Sequence, residues 1–221
     1  MPNIIGPLAL DGPVASGKSS VGRILAKQLG WVFADTGLMY RAIGYLMVHH
    51  HIESSDSKYL LELTHKATID IRHEKVMLNG ENISAHIRSP KVANSASIAA
   101  ESSEIRELMV EEQRKIAADT NGKIVMVGRD IGTVVVPEAS FKLYLTASSE
   151  ERTRRRYQEF LNQGRSVEYR EVQEQLIQRD YRDEKRAVAP LRQAKDAKFL
   201  KTDGLSETEA VQCIVELLEN H

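Results

Sequence analysis

The chain has 221 residues, a size that suits one large domain or one domain carrying a lid and a small insertion. Hydrophobic residues make up 42% and charged residues 28%, which is enough for a sizeable core under an ordinary soluble surface. Lys+Arg 30 against Asp+Glu 31 gives a formal charge of −1, and Cys213 is the one cysteine, so a global basic field for nucleic acid, a disulfide framework and a cysteine-based metal cluster are all excluded.

The first residues carry no basic leader ahead of their short apolar run, and no stretch reaches the roughly 18 apolar residues of a membrane span. The expectation is a cytoplasmic globular protein. Ile4 to Leu10 reads as a buried strand that runs into a loop at Asp11-Gly12. From Lys18 to Leu29 the apolar residues Val21, Ile24, Leu25 and Leu29 recur at helical spacing, and Gly30 suits the C-cap. Trp31 to Ala34, ending at Asp35, is a second strand, and Met39 to about Val48 a second helix. This alternation predicts a parallel sheet with right-handed crossovers.

Between Thr68 and Ser84 the pattern changes to strand-like alternation, with Asn79-Gly80 as a tight-turn signal, so an antiparallel hairpin is expected there. Pro90 suits the first turn of a helix, and Ile105, Leu108, Met109 and Ile116 form the stripe of another that stops near Asn121-Gly122. Lys123 to Gly128 and Phe141 to Leu145 are strand-like. Ser148 with Glu151, and Ser206 with Glu209, have capping-box spacing and predict helix starts. Phe199-Leu200 is the expected last strand and Ala210 to Leu218 the last helix, with Cys213 packing on its apolar face. His49-His50-His51 is contiguous and lacks ligand spacing.

Gly12-Pro-Val-Ala-Ser-Gly17-Lys18-Ser19 fits G-x-x-x-x-G-K-[ST] at every defined position, between a predicted strand and a predicted helix. Glycines let backbone N–H groups converge on phosphate oxygens, and the helix N-terminus adds partial positive charge. Lys18 would reach the β- and γ-phosphates, and the Ser19 hydroxyl would bind Mg²⁺. Such a loop implies nucleotide binding. GTPases, ATP-driven machines, regulators and small-molecule kinases all fit it.

Arginines distinguish among these. Arg41 follows the second strand and could grip a phosphate with its guanidinium fork, or lie on the surface. Arg129 and Asp130 end a strand, as a donor and an acceptor in one crevice or as a structural ion pair. Arg179, Asp183 and Arg186 are spaced i, i+4, i+7, continuing the face of Val172 and Leu176, which suggests a buried polar site; an exposed salt-bridged face is the alternative. Arg152, Arg154, Arg155 and Arg156 crowd one helical turn, as on a mobile arm over a triphosphate or on a solvated helix offset by Glu150, Glu151 and Glu159.

The chain resembles the bacterial cytidylate kinases. The resemblance rests on the cradle, on Asp35-Thr-Gly-x-x-Tyr-Arg41, on Ala96-Ser97 with Arg106, on Gly128-Arg129-Asp130-x-Gly-Thr133-Val, and on Arg179 to Leu191. It implies ATP-dependent phosphorylation of CMP and dCMP on an α/β P-loop fold with a five-stranded parallel sheet, a small β insertion and a helical lid. The core would be 1–35, 120–150 and 190–221, the monophosphate-binding region about 36–119 and the lid about 151–170.

By the same resemblance, Gly12, Pro13, Val14, Ala15, Ser16, Gly17, Lys18, Ser19, Ser20 and the lid residue Arg155 would bind ATP with Mg²⁺. Ser97, Arg106 and Asp130 would contact the base, and Arg41, Arg129 and Arg186 the acceptor phosphate. Arg179 and Asp183 would contact the sugar; Thr36 joins the CMP-binding set where many relatives have serine, and Leu38 stands where many have alanine. Lys18, Arg129 and Arg186 would be catalytic. The implied partners are ATP and CMP or dCMP, with a monomer that binds neither nucleic acid nor membrane. A kinase for another small acceptor, such as a different nucleotide or shikimate, and an ATP-gated binding protein are the rival readings.

Overall fold

The computed structural model describes residues 6–53, 56–72 and 75–220. The chain runs through β1 (Leu8–Asp11), α1 (Lys18–Leu29), β2 (Val32–Asp35), α2 (Thr36–His49), α3 (Ser57–Lys66), β3 (Ile69–Arg72), β4 (Lys75–Leu78), β5 (Glu81–Asn82), α4 (Pro90–Ala99) and α5 (Ser103–Asp119). It continues with β6 (Ile124–Gly128), a π turn (Ile131–Val135), β7 (Phe141–Thr146), α6 (Ser149–Asn162), α7 (Tyr169–Lys185), β8 (Lys198–Lys201) and α8 (Glu207–Glu219). These elements form two compact units, Met1–Ala34 with Ile116–His221, and Asp35–Lys115.

In the first unit the strands form one parallel sheet in the order β2-β6-β1-β7-β8. β1 and β6 are buried at every residue, as befits central strands of a sheet with helices on its faces. Val21, Leu25 and Ala26 of α1 and Ala210, Val211, Ile214 and Leu218 of α8 pack on Leu8, Leu10, Val125, Val127, Phe141, Leu143 and Leu145. Each fully buried aliphatic side chain of this cluster stabilises the fold by about 1.5–3 kcal/mol. The register sets Asp11 level with Gly128 on one side and Tyr144 on the other, so three strands deliver their following loops to the same edge. Ile4 and Ile5, expected in the first strand, lie outside the described residues.

The second unit holds α2, α3, α4, most of α5 and a small sheet in the order β3-β4-β5. Gly44 lets α2 and α4 cross closely, since a Cβ there would come within 2.6 Å of the Val92 carbonyl and the Ala96 amide. The expected hairpin has a third strand. Asn79 and Gly80, with φ of 52° and 84°, make the two-residue turn between β4 and β5. His73 and Glu74, inside the expected hairpin, lie outside the described residues.

Two further elements differ from the sequence reading, and a third starts as predicted with only half of its capping box made. α2 begins at Thr36, not Met39, because the Asp35 carboxylate accepts from the Gly37 amide at 3.0 Å and caps the helix. α3 has no counterpart in the sequence reading, and it buries Leu60 and Thr64. At α6 the capping box is half made: Ser148 Oγ accepts from the Glu151 amide, but the Glu151 carboxylate turns to Arg154 and Arg155. The reciprocal box expected at Ser206 and Glu209 is complete.

Candidate active site

Gly12 follows directly on β1 with φ 149°, and a Cβ there would lie 1.9 Å from the Leu145 carbonyl oxygen. That closeness to the neighbouring strand explains why the loop leaves the sheet at a glycine. Ala15 takes the left-handed conformation at φ 58°, and Gly17 caps α1 at φ 93°. A left-handed alanine stores strain of the kind found in ligand-holding loops. Lys18 is buried, and its Nζ donates to the Pro13 carbonyl at 2.6 Å and the Ser16 hydroxyl at 3.1 Å. Its ammonium thus sits over the loop's own oxygens. Ser19 and Ser20 follow, half-buried in the first turn of α1.

The four arginines of α6 have different roles in the fold. Arg152 is 7% exposed; it donates Nε to the Ala147 carbonyl and Nη1 to the Val14 carbonyl and, at 2.6 Å, to Asp180 of α7. It ties the loop to the helix behind it. Arg155 reaches the same loop, donating to the Ser16 carbonyl at 3.4 Å, to Thr202 through both its hydroxyl and carbonyl oxygens, and to Glu151. Arg154 pairs with Glu151 on the exposed side, and Arg156 pairs with Glu159 while stacking over the Phe160 ring. Glu151 and Glu159 offset the cluster as expected, with Asp180 as an additional partner.

At the same edge of the sheet, Arg129 and Asp130 follow β6. The Arg129 Nε donates to Asp183 at 2.8 Å, and Arg186 Nη2 lies 3.6 Å from Asp130. The two pairs interleave: the loop's base pairs with the helix's acid, and its acid with the base beyond the helix. Asp183 is buried, and burial alone would raise its carboxyl pKa. Arg129, Arg179 and Arg186 together outweigh burial and hold it below the usual carboxylate range. Arg179 and Asp183 share a face of α7 with the buried Val172 and Leu176. Arg186 does not share it. α7 ends at Lys185, and Arg186 is its extended C-cap, braced by its Nε donating to the Ala189 carbonyl at 2.6 Å.

Sequence reasoning passed over Asp11. This residue ends β1 and is 5% exposed, and its two carboxylate oxygens accept from the Ile131 and Gly132 amides at 2.8 Å each. Burial pushes its pKa up to about 6 against the pull of those two amides. A carboxylate closing an apolar strand was the available signal, but its partners lie about 120 positions away.

In the Asp35–Lys115 unit, Thr36 is buried at the start of α2, and Arg41 Nη1 donates to the Ile87 carbonyl at 2.7 Å. Ser97 is buried in α4, its hydroxyl making no hydrogen bond. Arg106 is 2% exposed, donates to the Ala100 carbonyl at 3.4 Å and lies over the Tyr40 ring at 5.5 Å. A guanidinium buried this deeply is expensive to desolvate and has to be well partnered. Two of the three consecutive histidines make ring contacts: His49 stacks on Tyr45, and His50 meets His49 and Tyr59 edge-on. Among the described residues no helix is long and apolar enough to cross a membrane.

Comparison with known proteins agrees with this arrangement. A family model described as Cytidylate kinase matches residues 8–220. The chain is 42% identical over 221 residues to a cytidylate kinase of Caldanaerobacter subterraneus subsp. tengcongensis, covering 100% of this chain and 98% of that one. It is 40% identical over 216 residues to a cytidylate kinase of Bacillus subtilis, covering 96% of each. A shikimate kinase structure from Bacteroides thetaiotaomicron is similar in fold alone, with a TM-score of 0.50 at 19% identity over 98% of this chain and 99% of that one. With nearly its whole length matched by the family model and by relatives at about 40% identity, the chain belongs to the cytidylate kinase family.

Proposed function

We propose that this chain transfers the γ-phosphoryl group of ATP to CMP and dCMP, giving ADP and CDP or dCDP. The observation that carries this reading is the set of interleaved Arg129–Asp183 and Asp130–Arg186 pairs at the sheet edge onto which the Gly12–Ser19 loop opens. A protein using ATP only as a switch needs no second anion-holding site there. An acceptor phosphate is already nucleophilic, so transfer needs positioning and charge stabilisation rather than a general base.

Under this reading the loop from Gly12 to Ser20 cradles the ATP phosphates, and Lys18 exchanges its bonds to the Pro13 and Ser16 oxygens for β- and γ-phosphate oxygens. Arg155, already against the Ser16 carbonyl, covers the nucleotide from a lid spanning about residues 151–170. Arg129 and Arg186 hold the acceptor phosphate, Arg179 and Asp183 the sugar, and Asp130 the base. In the other unit, Arg41 contributes to the phosphate clamp, Thr36 lines the CMP site, and Ser97 and Arg106 read the base; the unbonded Ser97 hydroxyl supports that role. Burying polar groups meant for one base rejects another by leaving them unpaired.

The donor set suits Mg²⁺ carried in by ATP. No group of three His, Cys, Asp or Glu among the described residues could cage a metal, and the half-buried Ser19 hydroxyl offers one hard oxygen beside phosphates that bring their own. When bound, the ion would neutralise charge on the transferring group. The chain would act as a cytoplasmic monomer on small molecules; its net charge of −1 supports the last of these, offering no long-range attraction to polyanions.

The test is coupled ADP release from ATP·Mg²⁺ with CMP, dCMP, UMP, AMP and GMP at equal concentration. The expected result is turnover with CMP and dCMP far above the rest. Equal rates would remove the base-reading roles, and ATP binding without turnover on any acceptor would overturn the kinase reading.

A further inference from the structure

We infer that Asp11 is a positioning residue of the acceptor side, its carboxylate holding the backbone of Ile131 and Gly132 so that Arg129 and Asp130 stand ready for CMP. The inference rests on the CMP kinase reading above. The π turn that follows Asp130 needs acceptors for its leading N–H groups, and the Asp130 side chain supplies none. Asp11 supplies them from another strand, one oxygen to each amide at 2.8 Å. It therefore caps a turn 120 residues away in sequence.

Three details support this role. An asparagine has one acceptor oxygen, so one of the two amides would face an NH₂ group instead. Gly132 leaves this contact uncrowded: even a Cβ there would stand at ordinary contact distance, 3.4 Å, from the Asp11 Oδ2 and would press instead on the Lys142 side chain at 3.1 Å. β1 and β6 are in register at Asp11 and Gly128, so movement of one strand end is transmitted to Arg129. The charged groups facing Asp11 are Lys18 of the cradle and Asp130, the latter itself close to Arg186. Asp11 thus lies between the cradle lysine and the acceptor loop without being offered to either substrate. Its burial keeps the ionised form disfavoured, so an ordinary structural preference would select a neutral residue.

Steady-state kinetics of the whole chain with Asp11→Asn, varying CMP and ATP separately, test this against melting temperature and ATP binding by titration calorimetry. The expected result is a fall of roughly 10- to 100-fold in kcat/KM for CMP, as misplacement by about 1 Å produces, with the KM for ATP and the melting temperature little changed. A rise confined to the KM for ATP, CMP kinetics equal to wild type, or loss of activity only in proportion to loss of folded protein would each overturn the inference. If the wild-type chain itself failed to phosphorylate CMP, the kinase reading would fall instead; active wild type with an unaffected Asp11→Asn variant removes only Asp11.

Discussion

The cradle end of β1 and the C-terminal end of α7 each bury a carboxylate in the same unit, and they hold it in opposite ways. At Asp11 the partners are two backbone amides, which offset burial only partly, and the pKa rises to about 6. At Asp183 burial is again the largest single influence, but Arg129, Arg179 and Arg186 overcome it and the pKa falls. Backbone partners fix a position with little electrostatic gain; guanidinium partners supply the gain, and they are groups that a substrate phosphate can recruit.

The two ends therefore pull stability in opposite directions with pH. Asp11 titrates higher in the folded chain than in the unfolded one, so between about pH 4 and 6 its contribution falls as pH rises. At neutral pH keeping this group ionised costs roughly 3 kcal/mol, because each tenfold change in proton affinity is worth about 1.4 kcal/mol. Asp183 titrates lower in the folded chain, so its stabilisation is present above the unfolded pKa and is lost as pH falls through the folded one.

The contrast can be probed in graded steps. Lys18→Ala should have the largest effect, lowering kcat by about 10²–10³-fold or more in the coupled assay while the urea midpoint hardly moves, because the lysine serves the loop and not the core. Asp183→Ala removes the buried carboxylate that Arg129, Arg179 and Arg186 act on, and should destabilise the chain by about 3–5 kcal/mol in urea. The same variant should flatten the acid limb of the stability curve below about pH 4. Asp11→Asn should do the reverse in a different window: relief of burial cost and loss of one hydrogen bond nearly cancel at pH 7, within about 2 kcal/mol, while the slope between about pH 4 and 6 disappears. The smallest change is expected from Ala15→Gly. It relieves a left-handed alanine at φ 58° but frees the unfolded chain, for a net shift under about 1 kcal/mol by thermal melting.

What the sequence revealed follows the same division. The five strands, the helix after the cradle and the turn at Asn79-Gly80 were legible because each is encoded locally, by an apolar run, a helical stripe or a residue that accepts positive φ. The cradle was legible for that reason too. Local pattern misplaced Arg186, since i, i+4, i+7 spacing carries no mark of a helix that ends one residue short. It missed α3, whose ten residues bury only Leu60 and Thr64 and so have too narrow a stripe to read. It also passed over Arg152 as a tie and Asp11 as a cap, because Val14, Asp180, Ile131 and Gly132 come into reach only when the sheet brings distant loops to one edge.

The destination of the γ-phosphorus of ATP is the most direct test of acceptor phosphorylation. Following a mixture of the chain, ATP·Mg²⁺ and CMP by ³¹P NMR should show the two phosphorus signals of CDP growing in step with those of ADP, and little inorganic phosphate. ADP accompanied by inorganic phosphate and no CDP would contradict it, leaving a nucleotide-hydrolysing cradle with no acceptor site behind it.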